Sequence, residues 1–333
     1  MGRWSNLALL WLVPIAALTG FGAFVVGDAG AVPAAVLHGG SALGVVALVP
    51  WKSTVVRRGL ARARPGRAGS VVLGVVVLLA LVTGLLHVVG VLADDQPVTV
   101  LQAHVGAGIV AVLMTLAHAR DRRVRARRGD LSRRTLLRAG AVALAGGAAA
   151  GAMTAAGAAL ASAGTRRATG SFRLASSEVD AIPATSWLLD TPPDLDRSGW
   201  RVTVVAGDST RSWSIDELES GSLPDDRVSA VLDCTGGWWT PQTWGGTRVS
   251  RLLPGGTTGT VLVTSATGYS RRLPLTDDLL LATTLAGEPL RTGHGAPARL
   301  VVPGRRGHHW VKWVVRVEVV AGPWWLEPPL PLR

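Results

Sequence analysis

The chain has a single cysteine, Cys234. A lone thiol excludes an internal disulfide framework and zinc sites of the multi-cysteine kind. Charge is also scarce: 17% of residues are Asp, Glu, Lys or Arg against 48% hydrophobic, and mean hydropathy is positive, which is not the balance of an ordinary soluble protein. Long apolar runs, in turn, are missing beyond about residue 165, where Trp, Pro, Gly and charge mix as in a globular domain. A membrane half followed by a soluble half is expected, and 333 residues accommodate about two domains. The formal charge of +12 resembles a nucleic-acid signature, but the arginines sit mostly between apolar runs, from Lys52 to Arg67 and from Arg120 to Arg138. That is the pattern of cytoplasmic loops, so no nucleic-acid partner is expected.

Five apolar stretches, about 7–27, 31–50, 70–93, 98–118 and 136–162, are each long enough at about 1.5 Å per residue to cross a bilayer; the fifth is rich in Ala and Gly. The Arg-rich loops after the second and fourth stretches face inward, and the connections at Asp28 and Asp94-Asp95 face outward. Five crossings then carry the C-terminal half to the extracytoplasmic side. Segment 131–165 begins with Ser132-Arg133-Arg134-Thr135-Leu136-Leu137-Arg138, which resembles a twin-arginine export signal with Leu for Phe and Arg for Lys. Such a signal moves folded cargo, the route a domain needs when a cofactor is inserted before export, and implies a twin-arginine translocase as partner. The plainer alternative is a basic loop that contains Arg-Arg.

Histidines inside apolar spans need an account. His104 and His118 are fourteen residues apart, about 21 Å of rise and about 40° short of whole turns, so both project from roughly one face. His38 and Lys52 repeat the spacing on the second span. This resembles the haem ladder of membrane cytochromes b, with His38 and His104 as axial ligands at the outer level. Lys52 stands where an inner-level histidine would, so one haem b is expected rather than two; His87 and His118 remain weaker haem candidates. The alternative is that these histidines only make interfacial or interhelical hydrogen bonds.

The exported half, 166–333, reads as an α+β domain: strands at 200–206, 227–232, 260–264, 298–302 and 311–320, and a helix at 215–219 behind Ser214 as its cap. Cys234 ends an apolar strand just before Gly236-Gly237, where the chain can turn and present a side chain to a pocket. An inert thiol, a nucleophile and a soft metal ligand are all compatible with that position.

The residues around it run Leu232-Asp233-Cys234-Thr235-Gly236-Gly237-Trp238-Trp239-Thr240-Pro241-Gln242-Thr243-Trp244-Gly245-Gly246, followed by Val249-Ser250-Arg251-Leu252-Leu253. A second block holds Gly287-Glu288-Pro289-Leu290, then His294-Gly295-Ala296-Pro297-Ala298-Arg299-Leu300-Val301-Val302-Pro303, and ends at Trp310-Val311-Lys312-Trp313-Val314. Together the blocks resemble the molybdopterin-binding domain of the sulfite oxidase family over about residues 180–322. The resemblance implies a molybdenum cofactor with Cys234 as the protein ligand and catalytic residue. It also implies that Arg299, Arg305, Arg306 and Lys312 are the cations best aligned for the pterin phosphate, that His294 bonds the cofactor or shapes a turn, and that Trp238 and Trp244 wall the pocket. Arg316, and at least one of Arg305 and Arg306, are expected to be exposed strand charges. Gly236-Gly237-Trp238-Trp239 replaces the arginine-rich segment that follows the cysteine in sulfite oxidases, and the chain ends soon after the second block. The resemblance is therefore closest to catalytic subunits of periplasmic protein-methionine-sulfoxide reductases, joined here to a four-span cytochrome b-like membrane domain at 1–130. A membrane bundle plus a sulfite oxidase-type α+β domain is expected, exchanging electrons with the quinone pool or a membrane redox partner and acting on a small-molecule or protein sulfoxide. The alternatives are spans that only anchor the domain in lipid, and a cofactor-less binding module.

Overall fold

The computed structural model describes residues 2–26, 31–60, 67–90, 98–121, 132–160, 166–174, 176–187, 190–220, 223 and 225–328. The chain divides into two compact units, Met1–Phe172 and Arg173–Arg333.

The N-terminal unit holds five helices: α1 (Gly2–Val25), α2 (Ala31–Leu60), α3 (Arg67–Val88), α4 (Val100–Asp121) and α5 (Arg133–Leu160). Each contains an apolar segment of 20 to 22 residues, long enough to cross a membrane. Leu18, Val75, Leu113 and Leu144 lie on the outside of the unit, an arrangement suited to hydrocarbon rather than water. Helix α1 packs on α2, and α3 packs on α4. The Ala and Gly content of α5 has a packing reason: a Cβ at Gly146 would stand 2.3 Å from the Gly40 carbonyl oxygen, so α5 and α2 touch backbone to backbone. Ser132 ends the Arg-rich loop by capping α5, its Oγ accepting from Thr135 N at 3.4 Å.

The C-terminal unit is α+β. A two-residue strand, β1 (Phe172–Arg173), lies at the division between the units. Beyond it come β2 (Arg201–Ala206), β3 (Ser209–Ser214), α6 (Ile215–Glu219), β4 (Asp226–Asp233), β5 (Trp238–Arg248), α7 (Val249–Leu252), β6 (Thr260–Ser265), β7 (Ser270–Pro274), β8 (Leu280–Leu285), β9 (Glu288–Pro289), β10 (Arg299–Val301) and β11 (Val314–Val320). One sheet runs β4-β5-β8-β10 with β9 beside β8, every pair antiparallel. The other runs β3-β2-β11-β6-β7, in which β2 and β11 are parallel. Strand β2 shows the period-two rule: Val202 and Val204 are buried while Arg201 is exposed. Ser214 and Glu217 form a capping box on α6, satisfying two donors of its first turn. The five strands read from sequence correspond to β2, β4, β6, β10 and β11. Strands β3, β5, β7, β8 and β9 were not among them, and β5 is the one that builds the site.

Candidate active site and a histidine pair of the N-terminal unit

Strands β4 and β5 form a hairpin whose connection is Cys234-Thr235-Gly236-Gly237. Cys234 N donates to Trp238 O at 2.9 Å and Gly237 N donates to Cys234 O at 3.2 Å, closing the turn. Gly237 sits at φ +96°, which a side chain would strain. The turn presents the Cys234 Sγ, half-buried, to a pocket. There it accepts from Gly236 N at 3.3 Å and lies 3.3 Å from the Thr185 hydroxyl.

The hairpin is braced from behind. Arg306, with a wholly buried side chain, donates from Nη1 to Asp233 Oδ1 at 2.9 Å and from Nη2 to Cys234 O at 3.2 Å. Of the two neighbouring arginines, Arg306 is thus a buried brace next to the cysteine. Arg305 is not brought to the pocket either, because its guanidinium lies 4.6 Å from the Trp324 ring centroid. Arg316 pairs with Glu318 at 2.9 Å on β11, a partly exposed strand charge.

Two cations do line the pocket beside Cys234. Arg299 is buried between Trp244 and Trp310, 5.0 and 5.6 Å from their ring centroids, and donates from Nη1 to His294 O at 3.0 Å. Burial pulls its pKa down to about 10, a Cys234 thiolate opposing the shift, so it stays charged at neutral pH. Lys312 Nζ donates to Thr185 O at 2.8 Å and to Gly293 O. Burial first, then the Arg299 charge, lowers it to about 7, against the pull of Cys234 and Asp190. His294 donates from Nε2 to Ile182 O at 3.0 Å, which leaves Nδ1 as an acceptor, and burial keeps the ring neutral by lowering its pKa. Trp238 lines the pocket and Trp244 stands behind Arg299, 5.5 Å from Trp310.

Sequence reasoning missed Thr185, Trp187 and Tyr269, which also line the pocket, together with His308 of the second block. The first three come from loops outside both motif blocks, and only Tyr269, the single tyrosine of the chain, carried a compositional signal. Tyr269 donates its hydroxyl proton to His308 O, and burial raises its pKa.

The donor set fits a molybdenum pterin. A thiolate is a soft ligand, two cations answer an anionic phosphate, and tryptophan faces suit a flat ring. Arg299 Nε and His294 Nδ1 are buried without a partner among the described residues, which is what polar atoms awaiting a ligand look like.

In the N-terminal unit, His38 on α2 donates from Nδ1 to Ala16 O of α1 at 2.8 Å, and His104 on α4 donates from Nδ1 to Ala80 O of α3 at 2.8 Å. Carbonyl oxygens only accept, so each ring carries its proton on Nδ1 and keeps the Nε2 lone pair. The rings lie 5.7 Å apart between centroids with planes at 78°. An imidazole nitrogen binds a metal at about 2 Å, so two opposed ligands need ring centroids about 6 Å apart, close to that spacing. In ring spacing and tautomer the pair is compatible with two ligands to one haem iron. The other candidates do not join it: His87 Nε2 lies 2.9 Å from Gly170 O, and Lys52 donates to Asn6 Oδ1 at 2.8 Å. His118, on the last turn of α4, lies fourteen residues beyond His104.

Residues 189–324 match the family model of the oxidoreductase molybdopterin binding domain. Mitochondrial sulfite oxidase of Mus musculus is 30% identical over 168 residues, 38% of this chain and 30% of that protein. The Rattus norvegicus enzyme is 29% identical over 166 residues with the same coverage. Nitrate reductase [NADPH] of Mycosarcoma maydis is 48% identical over 56 residues, 16% of this chain and 6% of that one. The chain thus spans 30% of the length of the sulfite oxidases it matches. Among solved structures, the sulfane dehydrogenase SoxCD from Paracoccus pantotrophus aligns with a TM-score of 0.35 and 24% identity, covering 42% of this chain and 41% of that one.

Proposed function

From a C-terminal unit that carries a sulfite oxidase-type molybdopterin-binding domain, we propose that the chain is a membrane-anchored molybdenum oxidoreductase that removes an oxygen atom from a neutral, sulfoxide-type substrate at the extracytoplasmic face. The observation that carries the reading is Cys234, presented to a tryptophan-walled pocket beside a buried arginine, Arg299, and a half-buried lysine, Lys312. When bound, the molybdenum pterin supplies two-electron oxygen-atom transfer. The chain's own groups do the rest. The Cys234 thiolate is the soft ligand, oriented by Thr185 and Gly236 N–H. Arg299 and Lys312 hold negative charge in the pocket, and His294 Nδ1 accepts from a ring N–H. Deoxygenation of a sulfoxide consumes two protons and releases water. Lys312 Nζ lines the pocket beside Cys234, where it is positioned to supply one of those protons.

In this reading the N-terminal spans lie in lipid, and His38 and His104 hold one haem b through Nε2. When bound, that haem supplies a one-electron relay to the quinone pool or a membrane redox partner. The Arg133-Arg134 segment serves export of the folded domain through a twin-arginine translocase.

Elemental analysis of detergent-purified full-length protein, with a reduced-minus-oxidised spectrum, tests both cofactors. Near-stoichiometric molybdenum and one iron with a b-type spectrum are expected. Cys234→Ala should lose molybdenum and turnover with methionine sulfoxide while keeping the spectrum, and retained turnover would sink the ligand assignment.

A further inference from the structure

The two histidines are held by the same local device, written twice. Residues 16–20 read Ala-Ala-Leu-Thr-Gly on α1, and residues 80–84 read Ala-Leu-Val-Thr-Gly on α3, so both follow A-x-x-T-G. In each copy the Ala carbonyl accepts the histidine Nδ1–H at 2.8 Å. The Thr three residues on donates to the carbonyl just before that Ala, Thr19 Oγ1 to Ile15 O at 2.5 Å and Thr83 Oγ1 to Leu79 O at 2.7 Å, and makes a longer secondary contact with the Ala carbonyl itself, at 3.4 and 3.1 Å. The Gly one residue later clears room for the ring. A Cβ at Gly20 would stand 2.6 Å from His38 Nδ1, and one at Gly84 would stand 2.9 Å from His104 Cε1. The histidine follows the Ala by 22 residues in one copy and 24 in the other, always on the next helix. The neighbourhood of each histidine repeats as well: His38-Gly39-Gly40 corresponds to His104-Val105-Gly106.

We propose that α1–α2 and α3–α4 are an internal duplication converging on one shared haem site, and that Gly20 and Gly84, with Thr19 and Thr83, are positioning residues that set the ligand strength of His38 and His104. The inference rests on the haem reading above. Its physical content lies in the Nδ1–H···O bond. A stronger bond makes the imidazole a better electron donor and lowers the midpoint potential of the iron it ligates, and a weaker bond does the reverse. A methyl group at position 20 or 84 pushes the ring off its carbonyl. Removing the Thr hydroxyl, whose shorter bond is to the carbonyl before the Ala, ends only its secondary contact with the histidine's acceptor and so strengthens the histidine bond slightly. The two changes therefore act in opposite directions, which general damage to packing would not do.

The experiment is redox potentiometry and ferric EPR on detergent-purified full-length protein, with helix content and haem content measured on each sample. Gly20→Ala and Gly84→Ala should each raise the potential and change the low-spin ferric signal. In the wild type that signal should be of the strongly anisotropic kind given by near-perpendicular imidazoles, as the 78° between ring planes requires. Thr83→Val should lower the potential, and Thr19→Val should lower it less, its bond to the carbonyl being the longer one. Gly22→Ala and Gly74→Ala, where a Cβ meets only ordinary contact or open space, are the controls and should match the wild type. Loss of haem from both alanine variants while both controls stay loaded also supports the clamp. Haem-loaded variants at positions 20 or 84 that match the wild type, controls that shift as far as the clamps, or a Thr83→Val change of the same sign as Gly84→Ala would overturn it. Wild-type protein without haem overturns the haem reading and this inference with it, whereas loaded protein with indifferent clamps overturns this inference alone.

Discussion

Replacing Arg306 by Met removes one end of a buried ion pair. The Arg306 and Asp233 side chains are 0% and 2% exposed, with Nη1 and Oδ1 2.9 Å apart, and the same guanidinium holds the Cys234 carbonyl at 3.2 Å. Methionine fills much of the volume, so the loss is chiefly electrostatic: the Asp233 carboxylate stays buried and its counter-charge is gone. Breaking such a pair from one side costs about 3–5 kcal/mol, a large share of the ~5–15 kcal/mol that holds a domain together. At about 2–4 °C per kcal/mol for a unit of this size, melting should fall by about 6–20 °C. Tryptophan fluorescence of the full-length protein in detergent reports it, since all tryptophans except Trp4, Trp11 and Trp51 lie in the C-terminal unit. Asp233→Asn in the same chain removes the stranded charge, so the double variant should recover part of the loss. It should still load less molybdenum than the wild type, because the Cys234 carbonyl has lost the guanidinium that braces the turn from behind. A single-variant cost below about 1 kcal/mol, the scale of a surface pair, or a double variant whose losses simply add, would refute the reasoning.

Lys312 titrates near pH 7 in the folded chain but at the ordinary lysine value when unfolded. Between those values the unfolded chain binds the extra proton, so stability should rise with pH from about 7 upward. Melting of cofactor-free protein at pH 7 and 9 should show that rise in the wild type and lose it in Lys312→Met; an unchanged slope would place the titration elsewhere. Gly246→Ala should cost about 1–3 kcal/mol or more, because the added Cβ would stand 2.2 Å from Leu281 O and force β5 off β8; a neutral effect in a urea titration would contradict that contact.

How much of this was legible in the chain depends on which physical signal each part writes into sequence. Five apolar runs of bilayer length correspond to the five helices of the N-terminal unit, their ends displaced by up to five residues and α2 running on to Leu60, because long uninterrupted apolar stretches are a strong signal in sequence. Strand β2 was readable from Val202 and Val204 alternating with polar neighbours. Strand β5 was not, because Pro241, Gly245 and Gly246 interrupt it and read as turn residues, although pairing with β4 and β8 overrides that preference. Cys234 was legible because a strand end followed by two glycines is a local signal. The role of Arg306 was not, since its partner Asp233 lies 73 residues away and nothing in the sequence distinguishes a buried arginine from its neighbour Arg305.

The same contrast explains why the histidine pair was visible and its support was not. His38 and His104 stand out because an ionisable group in an apolar span is costly and so asks for a reason. Ala16, Gly20, Ala80 and Gly84 cost nothing where they lie and raise no question in a helix rich in small residues. Only when the helices are side by side does each A-x-x-T-G turn meet a ring: a carbonyl to fix the tautomer, a missing Cβ to admit it. A ligand can be inferred from the penalty it incurs, but the groups that position it incur none, and they are recoverable only from contacts between elements. The repeat of that device on both hairpins is what turns two unremarkable glycines into residues with an expected sign of effect.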